Sequence, residues 1–223
     1  AIGGVRYSGG DTVLNTVEAY DPKLDDYTVS IENPTIRRDL GVAELNGKIY
    51  AVGGYKDYAF VKTGEVYNGY IWSSIAAMFY ERTNLGLAAA NGKLYAIGGH
   101  DGSFTLSAVE EYDPMSNTWS IKETFMLTPR YSFGTAVVNG KIYVIGGLNA
   151  AGNIVNTVEV FDPAADTWSA LANMPTARYN LSAVNLDGLI YAIGGRNSNT
   201  LNSLNTVEKF DPISNTWSSI TGL

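Results

Sequence analysis

Four arginines, Arg37, Arg82, Arg130 and Arg178, follow one another at intervals of 45, 48 and 48 residues. An arginine can do two kinds of work: its planar fork holds a ligand carboxylate or phosphate, or it satisfies main-chain carbonyls inside the protein. Five glutamates recur too, at Glu18, Glu65, Glu110, Glu159 and Glu208. Two carboxylates about 5–9.5 Å apart in a cleft would suit glycoside hydrolysis, but a glutamate that returns in every repeat is expected to face solvent or serve the fold. His100 is the single histidine, and there is no cysteine. A His-based metal cluster, thiolate ligation and disulfides are therefore excluded, and a histidine-containing triad has one centre available. His100 lies in Gly-Gly-His-Asp-Gly, where a turn accounts for its neighbours, so it reads as a loop residue. No cofactor is expected.

Glycine pairs at 3–4, 53–54, 98–99, 146–147 and 194–195 are the third chemical candidate. A pair closing an apolar strand, as in Tyr143-Val144-Ile145-Gly146-Gly147, could open a phosphate loop. Such a loop needs a helix N-terminus behind it, and no segment has a helical period. The pairs read instead as packing devices that let the aromatic and Trp of outer strands lie over the end of the preceding strand.

The elements that must position these residues follow from the same repeat. Ten residues after each arginine comes Gly47, Gly92, Gly140 or Gly188, the second member of an Asn-Gly or Asp-Gly dipeptide. That dipeptide favours a two-residue type I′ hairpin turn. Downstream of each pair runs a strand ending in an aromatic, as in Val158-Glu159-Val160-Phe161-Asp162-Pro163. Trp119, Trp168 and Trp217 follow seven residues after that aromatic, and Tyr27 takes the place in the first unit. Each unit thus holds four short strands, a to d, with small residues on a and large aromatics on c and d. Small inside and large outside, at about 48 residues per sheet, is the arithmetic of an all-β propeller of four-stranded antiparallel blades. The units run 1–36 (partial), 37–81, 82–129, 130–177 and 178–223, in one domain covering 1–223.

The arginine, the Asn-Gly-Lys-Ile-Tyr-x-x-Gly-Gly block, the Val-Glu-x-Tyr-Asp-Pro strand and the Trp together resemble the kelch-repeat family. The resemblance covers essentially the whole chain. It implies a ring of six or seven blades, whereas five units are visible here, the first lacking strand a and the opening of strand b. Two expectations follow: the five units form part of a larger ring, or an open ring leaves two blade faces free to self-associate.

In kelch substrate adaptors, arginines at this motif position and residues just after the glycine pair bind acidic peptides. Carried over, that gives Arg37, Arg82, Arg130 and Arg178 with Tyr55, His100 and Arg196; Val5 and Leu148 fill the remaining post-glycine positions. Tyr131 and Tyr179 follow motif arginines and are expected at the same rim. The loops between strands b and c are rich in Tyr, Asn, Ser, Asp and Gly, an adaptable recognition mixture. The alternative for the arginines is structural, with hydrogen bonds to carbonyls of neighbouring blade turns. Kelch copper oxidases need a Tyr–Cys link and two His, so that activity is excluded. The sequon Asn180-Leu181-Ser182 falls on strand a and is expected to be buried.

The formal charge of −7 argues against nucleic acid, and no apolar run is long enough for a spanning helix. The resulting expectation is a non-catalytic propeller that binds a protein or peptide through the loop and arginine face. A carbohydrate-binding or sialic-acid mutarotase-like protein and a structural segment of a cell-surface protein are the alternatives. Cytoplasm and an extracytoplasmic surface both fit, the latter somewhat better.

Overall fold

The structure is a computed structural model and describes residues 2–7, 11–29, 32–33, 35–198 and 203–220. Among these there is no helix, and each of the second to fifth units forms one four-stranded antiparallel sheet in the strand order a-b-c-d. The second unit uses Gly41–Leu45, Lys48–Val52, Gly64–Tyr67 and Trp72–Ile75. The third uses Gly86–Ala90, Lys93–Ile97, Val109–Asp113 and Thr118–Ile121. The fourth uses Gly134–Val138, Lys141–Ile145, Val158–Asp162 and Thr167–Leu171. The fifth uses Ser182–Leu186, Leu189–Ile193, Val207–Asp211 and Thr216–Ile220. The first sheet has three strands, Ile2–Tyr7, Asp11–Asp21 and Asp26–Val29. The five sheets stand as the blades of a β-propeller.

Local chemistry fixes each blade. Asn139 (φ 50°) and Gly140 (φ 74°) both take the left-handed conformation a type I′ turn demands, and the three equivalent dipeptides do the same. At the c–d turn, Asp113, Asp162 and Asp211 each accept the backbone N–H two residues on. Hydrogen bonds hold the three carboxyls below the usual aspartate range, chiefly from Lys93 at Asp113, Lys141 at Asp162 and the Ile213 amide at Asp211.

Blades pack through three aliphatic–aromatic layers, between the second and third, third and fourth, and fourth and fifth sheets. The register repeats: a tyrosine of strand b meets the strand-c aromatic of the next blade. Tyr50–Tyr112, Tyr95–Phe161 and Tyr143–Phe210 have ring centroids 6.0, 5.9 and 6.3 Å apart. Each c aromatic lies about the same distance from its own Trp, 5.1, 5.1 and 5.0 Å at Trp119, Trp168 and Trp217. Strand a must carry small residues because the blades crowd at the axis. A Cβ on Gly86 would come within 2.5 Å of Thr135, and one on Gly134 within 2.9 Å of Ala183.

The glycine pairs do serve packing, but their neighbours are not the outer aromatics. A Cβ on Gly3, Gly53, Gly98 or Gly146 would stand 2.5–2.7 Å from the carbonyl oxygen of the next unit's arginine. The second glycine donates its N–H to that same oxygen: Gly54 to Arg82, Gly99 to Arg130 and Gly147 to Arg178, at 2.8–2.9 Å. Gly4 reaches Arg37 at 3.3 Å. The pair is the socket into which the following unit docks by main chain. Gly194 differs: among the described residues, the atom near its Cβ position is its own unit's Leu204 carbonyl, 3.5 Å away.

Candidate functional site at the rim and axis

Each motif arginine is fully buried, at 0% exposure. The side chain folds back into its own unit rather than to a neighbouring blade. In the third unit, Arg82 Nη1 donates to the Gly98 and Ala108 carbonyls at 2.9 and 3.1 Å, and Nη2 to Glu110 at 2.7 Å. Arg178 treats Gly194, Thr206 and Glu208 alike, at 3.2, 2.9 and 2.8 Å. Arg37 does so with Gly53 and Thr63 at 2.8 and 2.9 Å, and with Glu65. Arg130 binds the Gly146 and Thr157 carbonyls at 3.1 and 2.8 Å; its Nη2 lies 3.0 Å from Glu159, with the N–H directed off the line. Glu65, Glu110, Glu159 and Glu208, four of the five repeated glutamates, are therefore the arginines' partners. Desolvation lowers all four arginine pKa values, and the paired glutamate opposes that shift. None of the four guanidinium groups faces the rim.

The rim is built by the residue after each arginine, bridged to the residue after its own unit's glycine pair. Arg38 pairs with Tyr55, Thr83 with His100, Tyr131 with Leu148 and Tyr179 with Arg196. The post-glycine positions of the second to fifth units and both rim tyrosines thus come together at one mouth. In the second unit the b–c loop is a small hairpin, Tyr55–Lys56 with Ala59–Phe60, turned by Asp57 (φ 48°) and Tyr58 (φ 64°). It sets Phe60 across from Tyr55 with centroids 5.2 Å apart. Phe60 then lies 6.1 Å from His100, and His100 lies 5.6 Å from Tyr131. Gly102 leaves room for Phe60, since a Cβ there would stand 2.6 Å from its ring. Arg38 covers Tyr55 at 4.8 Å and pairs with Asp39 at 2.8 Å. His100 Nδ1 accepts the Gly102 N–H at 2.9 Å, which leaves the ring proton on Nε2. Arg38, Tyr55, Phe60, His100 and Tyr131 form one continuous row across the second, third and fourth units. Tyr179 and Arg196 lie apart from it on the fifth.

Inside the mouth, a recess of about 230 Å³ sits on the axis. Asp39, Asn84, Ser132 and Asn180, each two residues after a motif arginine, line its top, and Leu40, Leu85, Phe133 and Leu181 its floor. All four polar residues are left-handed, with φ of 52–57°. Their main chains are linked in sequence: Asn84 N–H donates to Asp39 O, Ser132 to Asn84 O and Asn180 to Ser132 O, at 2.8–2.9 Å. Asn180 of the sequon is exposed here and Ser182 is exposed as well, contrary to the burial expected for the inner strand. A second recess of about 320 Å³ joins Arg38, Asp39, Tyr55, Phe60, Thr83 and Asn84. Phe60 is a b–c loop aromatic that the sequence already offers as a ligand anchor; Arg38, Asp39, Asn84 and Ser132 are the site residues sequence reasoning missed. The signal was the arginine-plus-two position, which is Asp, Asn, Ser and Asn in turn. Among the described residues, no group of three or more His, Cys, Asp and Glu side chains could hold a metal ion.

A family model described as the kelch motif matches residues 36–78, 81–126, 129–175 and 177–223. No curated protein sequence matches the chain. A solved structure of YjhT aligns with a TM-score of 0.75 at 20% identity, covering 86% of this chain and 68% of that one. At that identity the likeness shows the fold alone, and 470 solved chains match, so the fold by itself selects no activity.

Proposed function

The chain belongs to the kelch-repeat family, and from that premise we propose that it is a non-catalytic propeller that binds a protein or peptide at the rim described above. The observation that carries this reading is the unbroken row Arg38, Tyr55, Phe60, His100 and Tyr131 spanning three blades on one face. Aromatic and arginine side chains held in place before binding are what make interface hot spots, because little side-chain freedom remains to be lost. The buried Arg–Glu pairs act from below: they fix the chain that carries Arg38, Thr83, Tyr131 and Tyr179 to the rim. Selection of displayed peptides on the purified protein tests the reading. Tyr55→Ala and Phe60→Ala should each weaken a selected peptide about tenfold or more, near 1.4 kcal/mol, at unchanged melting temperature. Undiminished affinity in both variants would move the site off the rim.

The second recess favours one other reading, a carbohydrate ligand. Tyr55 and Phe60 offer ring faces beside Asp39, Thr83 and Asn84, the mixture of apolar plane and polar edge a sugar uses. A glycan array run beside the peptide selection separates the two; glycan ligands lost in Tyr55→Ala, with no peptide selected, would replace protein binding with sugar binding.

A further inference from the structure

Three a–b turns carry the same dipeptide, Asn46-Gly47, Asn91-Gly92 and Asn139-Gly140, and a fourth carries Asp187-Gly188. Their backbones match, with φ of 50–54° at the first residue and 74–79° at the glycine. What differs is the surroundings of two atoms that can react with each other, the glycine nitrogen and the asparagine Cγ. The residue three before the glycine is Glu44, Ala89, Val137 and Asn185 in turn. Only the first and last can accept a hydrogen bond by side chain, and both do. Gly47 N–H donates to Glu44 Oε1 at 2.7 Å, and Gly188 N–H to Asn185 Oδ1 at 3.0 Å. Ala89 and Val137 leave the Gly92 and Gly140 amides without that acceptor.

The asparagine side chains divide a second way. Asn91 leans on the next unit: its Oδ1 stands 2.6 Å from where a Cβ on Gly140 would be, and its Nδ2 faces the Gly140 carbonyl at 3.5 Å. The same step from Asn139 would end at Gly188, and among the described residues nothing lies within 4 Å of the Cβ position there. Asn139 is exposed. Among the described residues it alone joins a carboxamide lodged on no neighbouring turn to a glycine amide held by no side chain.

We propose that Asn139 is a site of spontaneous covalent modification, the fastest of the three turn asparagines to deamidate. The Gly140 amide gives its proton to hydroxide and its nitrogen attacks the Asn139 Cγ. The new C–N bond closes a five-membered imide, and the side-chain nitrogen takes a proton from water and leaves as ammonia. Water then opens the ring, at one carbonyl to aspartate and at the other to isoaspartate. Glycine in the second position puts no side chain in the way of the attack. At Asn46 the Glu44 carboxylate opposes it, because a negative neighbour disfavours the anionic nitrogen that must form. The shared turn geometry costs all three alike and cancels from the comparison. Aspartate fits the turn, as Asp187-Gly188 shows. Isoaspartate adds a backbone carbon to a two-residue hairpin and disturbs the pairing of Val138 with Lys141. The site is separate from the rim, since the turn stands at the opposite end of strands a and b from the glycine pair.

Incubation of the full chain at mildly alkaline pH and body temperature, followed by peptide mapping with mass spectrometry, tests it. Each conversion adds about 1 Da, and isoaspartate is told from aspartate by its resistance to an aspartate-specific protease. Asn139 should convert several-fold faster than Asn46 and Asn91. Glu44→Ala should speed Asn46 several-fold and leave the Asn139 rate unchanged. Asn46 or Asn91 converting as fast as Asn139 in the wild type overturns the assignment, as does an Asn46 rate indifferent to Glu44→Ala. An Asn139 that stays intact while a synthetic peptide of the same turn reacts to completion overturns it as well.

Discussion

At the scale of single residues, the four motif arginines show how one side-chain type can be read two ways from sequence. Arg37 and Arg38 are neighbours in the chain, yet the first is buried in its own blade and the second stacks over Tyr55 at the rim. The repeat marks the buried one, because a fold requirement recurs in every unit; the half-buried one at the rim has no arginine counterpart at Thr83, Tyr131 or Tyr179. Arg130→Ala should leave Glu159 buried without its cation and the Gly146 and Thr157 carbonyls without their donor. Breaking one side of such a pair costs about 3–5 kcal/mol. Urea denaturation should show that loss, and Arg130→Met combined with Glu159→Leu should recover most of it. Unchanged stability with lost ligand binding would return the guanidinium to the ligand.

At the scale of elements, the strands and turns were legible because their signals are local. Asn-Gly sets each a–b hairpin, Asp-Pro or its equivalent ends strand c, and the small residues of strand a mark the crowded axis. The partner of each glycine pair was not legible, because it lies in the following unit and contributes a main-chain carbonyl that any residue type could supply. The four-residue axial series and the Tyr55–Phe60 hairpin were hidden for a related reason: both depend on left-handed residues whose effect is felt only when blades converge. Two equivalent substitutions separate the junction from the turn it sits in. Gly146 and Gly194 have nearly the same φ, 64° and 63°, so alanine pays the same backbone strain at both. Only Gly146→Ala also drives a Cβ to 2.5 Å from the Arg178 carbonyl. Its unfolding free energy should fall further, by an additional ~1–3 kcal/mol typical of overpacking; equal losses would mean the Gly194 socket is filled in solution.

At the scale of the whole molecule, blades touch only their neighbours, so protection should be greatest in the blades packed on both faces. Leu94, Ala96 and Ile97 in the third unit and Ile142, Val144 and Ile145 in the fourth are all at 0% exposure. Hydrogen exchange followed by mass spectrometry should find these two b strands slowest. Strand a of the fifth unit, Ser182–Leu186, should exchange faster than its counterpart Gly134–Val138. Equal protection would show that the terminal face is capped. The arginine has one further consequence, for how such a chain can change over generations. Its guanidinium satisfies only its own unit, while its carbonyl meets the previous one through glycine main chain. A segment cut just before an arginine therefore carries every partner of that guanidinium with it. The arginine's own joint to the previous unit is main chain on both sides, and the tyrosine–aromatic contact that also crosses the junction recurs at the same positions in successive units. Such segments can be duplicated, deleted or exchanged as cassettes, leaving the loops free to diverge.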